Sequence, residues 1–122
     1  MKIPRLFSSL SVLCLFIAGI NSAQAHAFLD HSEPGVGAQI SKSPAIVKIW
    51  YTEKVEPAFS VIQVVDASGK EVDKKDTHVD PQNEAILSVS VPTLSSGTYK
   101  VTWKVVAEDT HHTQGSFSFT LK

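Results

Sequence analysis

Two places in this sequence hold residue types that together make metal-ligand chemistry. Asp109-Thr110-His111 sets a carboxylate and an imidazole two positions apart, and on an extended backbone that spacing sends both to one face. His26 follows Ala23-Gln24-Ala25, with small residues at the two positions a signal peptidase reads. Cleavage after Ala25 makes His26 the first residue, and an N-terminal histidine offers its α-amine and ring Nδ1 to one ion as a chelate. The ordinary amine pKa of about 7.7–8.0 lets a divalent cation displace the proton near neutrality. The amide that joins His26 to Ala25 in a precursor cannot serve in this way. A D-x-H tripeptide alone is more often a hydrogen-bonded loop pair, and a terminal histidine alone is more often an accident of cleavage. Combined, they supply three nitrogens and one oxygen, a tetragonal set that suits Cu(II).

The segment before His26 has the layout of a secretory signal. Lys2 and Arg5 precede an apolar stretch from Leu10 to Ile20, too short for the roughly 20 residues a membrane-spanning helix needs. Cys14 follows Leu13, where a lipoprotein signal would place a small residue. The expected division is therefore a cleaved signal over 1–25 and a single domain over 26–122. The sequence holds one cysteine and one methionine, Cys14 and Met1, and both leave with the signal. Without sulfur donors, the ligands that select Cu(I) are absent.

Among 122 residues, 11 basic side chains stand against 12 acidic ones, a formal charge of −1. That balance excludes the positive field of a non-specific nucleic-acid binder. With 43% hydrophobic and 19% charged residues, the chain is not composed like a disordered tail. After residue 25, valine and isoleucine far outnumber leucine, a bias toward strands. Val47, Ile49 and Tyr51 alternate with more polar neighbours. So do Leu87, Val89 and Val91; Tyr99, Val101, Trp103 and Val105; and Phe117, Phe119 and Leu121. Period two puts each set on one face. A further strand is expected within Phe59–Val65, and another near Ala27–His31. The charged stretch from Lys70 to Glu84 reads as wet surface around a short edge strand. Leu94-Ser95-Ser96-Gly97-Thr98-Tyr99 has the form of a tyrosine corner. The fold class is all-β: a Greek-key sandwich or barrel, immunoglobulin-like or cupredoxin-like, with about seven strands.

His26-Ala27, Ser32, Pro34 and Gly37, followed by Leu94, Gly97, Tyr99, Val101, Trp103, Asp109, His111, Gly115, Phe117 and Phe119, resemble the CopC-type periplasmic copper-resistance proteins over essentially the whole of 26–122. The resemblance implies a Greek-key β-domain whose Cu(II) ligands are the amine and ring of His26, Asp109 and His111, one copper per chain. Many relatives add a Cu(I) site in a methionine-rich loop, which this chain lacks, so a Cu(II)-only binder is the expected subtype. It implies a monomer in the periplasm, with an inner-membrane copper transporter or a periplasmic copper acceptor as partner, and binding rather than catalysis. The alternative is a copper-dependent oxidative enzyme of the N-terminal-histidine, monooxygenase-like type. Such enzymes keep an equatorial position open for oxygen, which Asp109 here would fill. His31 reads as a surface or turn residue and His78 as a bystander, while His112 points away from the site. Trp50, Tyr51 and Trp103 read as core, and Glu53, Glu56 and Glu108 are candidates to accept a ligand N–H.

Overall fold

The computed structural model describes residues 27–122. The expected signal segment, its cleavage point and His26 lie outside the described residues. Eight strands are formed: β1 (Leu29–Glu33), β2 (Gln39–Ile40), β3 (Ile46–Tyr51), β4 (Val61–Val65), β5 (His78–Asp80), β6 (Asn83–Ser90), β7 (Gly97–Val106) and β8 (His112–Leu121), with one 3₁₀ turn at Pro57–Phe59. They make two four-stranded sheets, ordered β1-β3-β6-β5 and β2-β8-β7-β4. Only β5–β6 and β7–β8 are consecutive partners within a sheet; the other connections cross between sheets. The two separate sheets give a β-sandwich, not a closed barrel.

The period-two pattern is what joins the layers. Val47, Ile49 and Tyr51 of β3 and Leu87 and Val89 of β6 are buried against Ile62 and Val64 of β4, Tyr99, Val101, Trp103 and Val105 of β7, and Phe117, Phe119 and Leu121 of β8. Removing each such side chain from water contributes about 1.5–3 kcal/mol. Trp103 packs across Gly115, its β8 partner. A Cβ at Gly115 would stand 2.6 Å from Trp103 Cζ2, so glycine is what lets the indole lie on the strand. The expected tyrosine corner is present: Tyr99 Oη donates to the Ser95 carbonyl at 2.6 Å.

Several expectations needed correction. Trp50 is not core. Because Val47, Ile49 and Tyr51 face inward, Trp50 must face outward, where His31 stacks on it with ring centroids 4.3 Å apart. His31 lies on the surface as expected, 55% exposed, but in strand β1 and not in a turn, and its Nδ1 pairs with Asp30 Oδ2 at 2.6 Å. The stretch from Lys70 to Glu84 does contain the short edge strand β5, but it is not uniformly wet. Asp73 is buried; its carboxylate accepts the Val64 N–H at 2.8 Å and the Lys75 N–H at 3.2 Å.

The longest pairing is the β7–β8 hairpin, which runs in register from Gly97↔Leu121 to Val106↔His112. Its connection, residues 107–111, stands at the same end of the sandwich as the start of the described chain. This is how the fold brings Asp109 and His111 near the segment that follows position 26.

Candidate metal centre

The hairpin connection is short and closely tied. Thr110 N–H donates to the Ala107 carbonyl at 2.9 Å, and Ala107 N–H donates to the His111 carbonyl at 3.0 Å. Such a closure needs one residue in the left-handed region, usually glycine. Here Thr110 fills it with φ 72°, which is rare for a β-branched side chain. The extended Asp-x-His geometry expected from spacing is therefore replaced by a turn, because a hairpin connection this short cannot stay extended.

The turn still brings the two side chains together, and more closely than a strand would. Asp109 Oδ1 accepts the His111 N–H at 3.1 Å, and Asp109 Oδ2 lies 2.9 Å from His111 Nδ1. One carboxylate thus shapes the turn with one oxygen and meets the imidazole with the other. Both side chains are partly open to solvent, His111 at 46% and Asp109 at 37%, so a cation can approach them. The loop is braced from below. Ala107 is buried and bridges Val55, Glu56 N–H donates to the Val106 carbonyl at 2.8 Å, and Glu108 N–H donates to the Lys54 carbonyl at 3.3 Å.

Among the described residues, no three His, Cys, Asp or Glu side chains form a group that could hold a metal ion. The described part of the expected ligand set is the pair Asp109 and His111; the third member, His26, lies outside it. The chain that follows position 26 is nevertheless held close by. Thr113 Oγ1, two residues beyond His111, donates to the Ala27 carbonyl at 2.5 Å. Phe28 N–H donates to Thr52 Oγ1 at 3.0 Å, and Thr52 N–H donates to the Phe28 carbonyl at 2.9 Å. Sequence reasoning passed over Thr52 and Thr113, since nothing in their neighbours marks a hydroxyl as a backbone clamp.

The remaining histidines stand apart. His78 Nδ1 bonds the Asp76 carbonyl oxygen at 2.8 Å on the β5 edge, and His31 belongs to the Trp50 stack. His112 stands at the first position of β8. There it lines a cavity of about 460 Å³ with Phe59, Val106, Ala107, Thr110, Glu56 and Glu108.

Residues 29–122 match the CopC domain family. The copper transport protein CutJ of Bacillus subtilis (strain 168) is 30% identical over 112 residues, covering 90% of this chain and 21% of CutJ; the chain thus spans about a fifth of that relative's length. The crystal structure of CopC from Methylosinus trichosporium OB3b superposes with a TM-score of 0.75 at 31% identity, over 80% of this chain and 94% of that one. PcoC from Escherichia coli, described as a methionine-rich copper resistance protein, superposes with a TM-score of 0.71 at 25% identity, over 80% of this chain and all of PcoC.

Proposed function

The chain belongs to the CopC family, and from that premise we propose that it is a secreted, periplasmic copper-binding protein that holds one Cu(II) through His26, Asp109 and His111 and serves copper resistance, homeostasis or transport. The observation that carries this reading is the Asp109–His111 pair, set 2.9 Å apart on a braced loop. Two donors bound cis to one ion at about 2.0 Å stand about 2.8 Å apart, so the two atoms already have the separation that ligands of one cation need, and a turn of the side chains would aim both at it. The Thr113 bond to Ala27 supports the third ligand, because a trans peptide keeps consecutive Cα atoms about 3.8 Å apart. Signal removal after Ala25 would complete the set by freeing the His26 amine.

The donors select the oxidation state. Three nitrogens and a carboxylate favour Cu(II), while the only thiol and thioether in the sequence, Cys14 and Met1, precede the cleavage point. The contrast with PcoC, described as methionine-rich, supports a Cu(II)-only subtype. The work is binding rather than turnover, since an anionic oxygen at Asp109 occupies a position that oxygen chemistry would need open. Competition titration of the protein beginning at His26, with chromogenic Cu(II) and Cu(I) probes, tests the proposal. One tightly bound Cu(II) per chain with weak Cu(I) binding is expected, and tight Cu(I) binding would contradict it.

A further inference from the structure

The peptide unit that joins Ala27 to Phe28 is held at both of its polar atoms. Its carbonyl, from Ala27, accepts from Thr113 Oγ1 at 2.5 Å, and its N–H, from Phe28, donates to Thr52 Oγ1 at 3.0 Å. The two hydroxyls come from opposite layers of the sandwich: Thr113 lies in β8, and Thr52 follows β3 directly. Ala27 is completely buried, so the unit is packed as well as hydrogen-bonded.

This grip stands just ahead of the paired strands, where the backbone supplies one further bond, from Thr52 N–H to the Phe28 carbonyl at 2.9 Å. The pairing of β1 with β3 begins only at Leu29↔Tyr51, so residues 27 and 28 precede that ladder. A chain end beyond its last ladder bond ordinarily frays. Here side-chain hydroxyls take the place of ladder partners at both ends of the Ala27–Phe28 peptide, and at the buried Ala27 end the bond satisfies a carbonyl that would otherwise lack a partner. One of them, Thr113, belongs to the strand that His111 leads into, so the same short piece of backbone carries both the loop ligand and the anchor of the terminal segment.

We propose that Thr113 and Thr52 are positioning residues for the metal site: together they hold position 26 beside Asp109 and His111, so that copper meets a terminal histidine already in place. The inference rests on the reading of His26 as a ligand. A terminal residue left to fray must be ordered again when copper binds. Losing one hydrogen bond that supplies this order, at the upper half of its usual worth, corresponds to a loss of about five- to tenfold in affinity.

The experiment is a set of Cu(II) competition titrations on secreted protein whose N-terminus is established as His26 by mass spectrometry, with hydrogen exchange at the Phe28 amide as a second readout. Thr113→Val should weaken Cu(II) about five- to tenfold and speed exchange at Phe28, and Thr113→Ser, which keeps the hydroxyl, should restore both. In a His26→Ala background, which keeps the α-amine but loses the imidazole and with it the chelate, Thr113→Val should weaken the residual Cu(II) binding by a clearly smaller factor, because only part of the donor set is left for the clamp to position. If Thr113→Val does not fold, Thr52→Val tests the other end of the same peptide, with the same expectations. Wild-type affinity in the threonine variants, alongside a large loss in His26→Ala, would overturn the inference and leave the ligand reading standing. An equal loss from Thr113→Val with and without His26 would overturn it too, by showing that the residue acts through the loop. Unchanged affinity in His26→Ala would overturn the ligand reading and the inference together.

Discussion

Replacing Asp109 separates the two tasks that its carboxylate performs. Oδ1 accepts the His111 N–H at 3.1 Å and so shapes the turn, while Oδ2 meets His111 Nδ1 at 2.9 Å. Asparagine keeps an uncharged oxygen for the first task and loses the anion needed for the second; alanine loses both. A hydrogen bond of this kind contributes about 0.5–1.5 kcal/mol, and with Asp109 37% exposed the lower end applies. Asp109→Ala, which loses both bonds, should therefore lower the melting temperature by about 4–8 °C in a domain of this size, and Asp109→Asn by less. Copper behaves differently. Loss of a residue that merely orients a ligand costs 10- to 100-fold in metal affinity, so loss of a ligand itself should cost about 100-fold or more, ~2.7 kcal/mol, in both variants alike. Thermal melts of the metal-free proteins give the first number; competition titration and the Cu(II) EPR spectrum give the second. If Asp109→Asn kept wild-type affinity and an unchanged spectrum, the carboxylate would be a loop brace only, and its place in the ligand set would be lost.

Gly115→Ala should destabilise the fold by about 1–3 kcal/mol, since the new methyl would meet the buried Trp103 ring at 2.6 Å; denaturant melts followed by tryptophan fluorescence check this, and a neutral result would mean that the indole has room to shift. Tyr51→Phe should raise stability by about 1 kcal/mol. The Tyr51 hydroxyl is buried with no hydrogen-bond partner among the described residues, and burial pushes its ionisation far above the ordinary phenol range, so it stays neutral and contributes only a desolvation cost; a loss of stability in the melt would reveal a partner. Asp66 is held below the usual carboxylate range by hydrogen bonds from Ser68 and Lys70, and Asp76 by hydrogen bonds from Ser90. A lowered folded-state value stabilises the fold above the unfolded pKa of about 3.9 and is lost as pH falls below it. Melting temperature should therefore drop on acidification below about pH 4, and less steeply in Asp66→Asn and Asp76→Asn; parallel pH profiles for wild type and variants would refute the assignment.

The sandwich was legible because burial leaves a regular mark. Inward residues of β3, β6, β7 and β8 alternate as period two requires, and the Tyr99 corner follows from its local sequence. The same alternation could have placed Trp50 outside, since its neighbours Ile49 and Tyr51 both face the core; reading tryptophan as core by type alone overrode the pattern. The two-residue β2, which pairs in parallel with the end of β8, is too short for any periodicity to announce. Asp109 and His111 were found from their types, but not their geometry. The left-handed turn that joins them sits at Thr110, and no glycine or asparagine signals it. Asp73, Thr52 and Thr113 escaped notice for a related reason. Each acts by bonding backbone that is distant in sequence, and residue type carries no record of such a partner.

Freeing the nitrogen of His26 is the step proposed to create the copper site. The direct measurement is a paired Cu(II) titration with EPR on protein beginning at His26 and on protein retaining Ala25, each terminus verified by mass spectrometry. In the longer protein that nitrogen is an amide and cannot form the amine–imidazole chelate. The protein beginning at His26 should bind Cu(II) far more tightly, with an affinity that falls as pH drops because the amine and imidazoles must lose protons to bind, and the extended one should give a weaker complex with a different spectrum. Equal affinities and identical spectra would remove the amine from the ligand set and contradict the account.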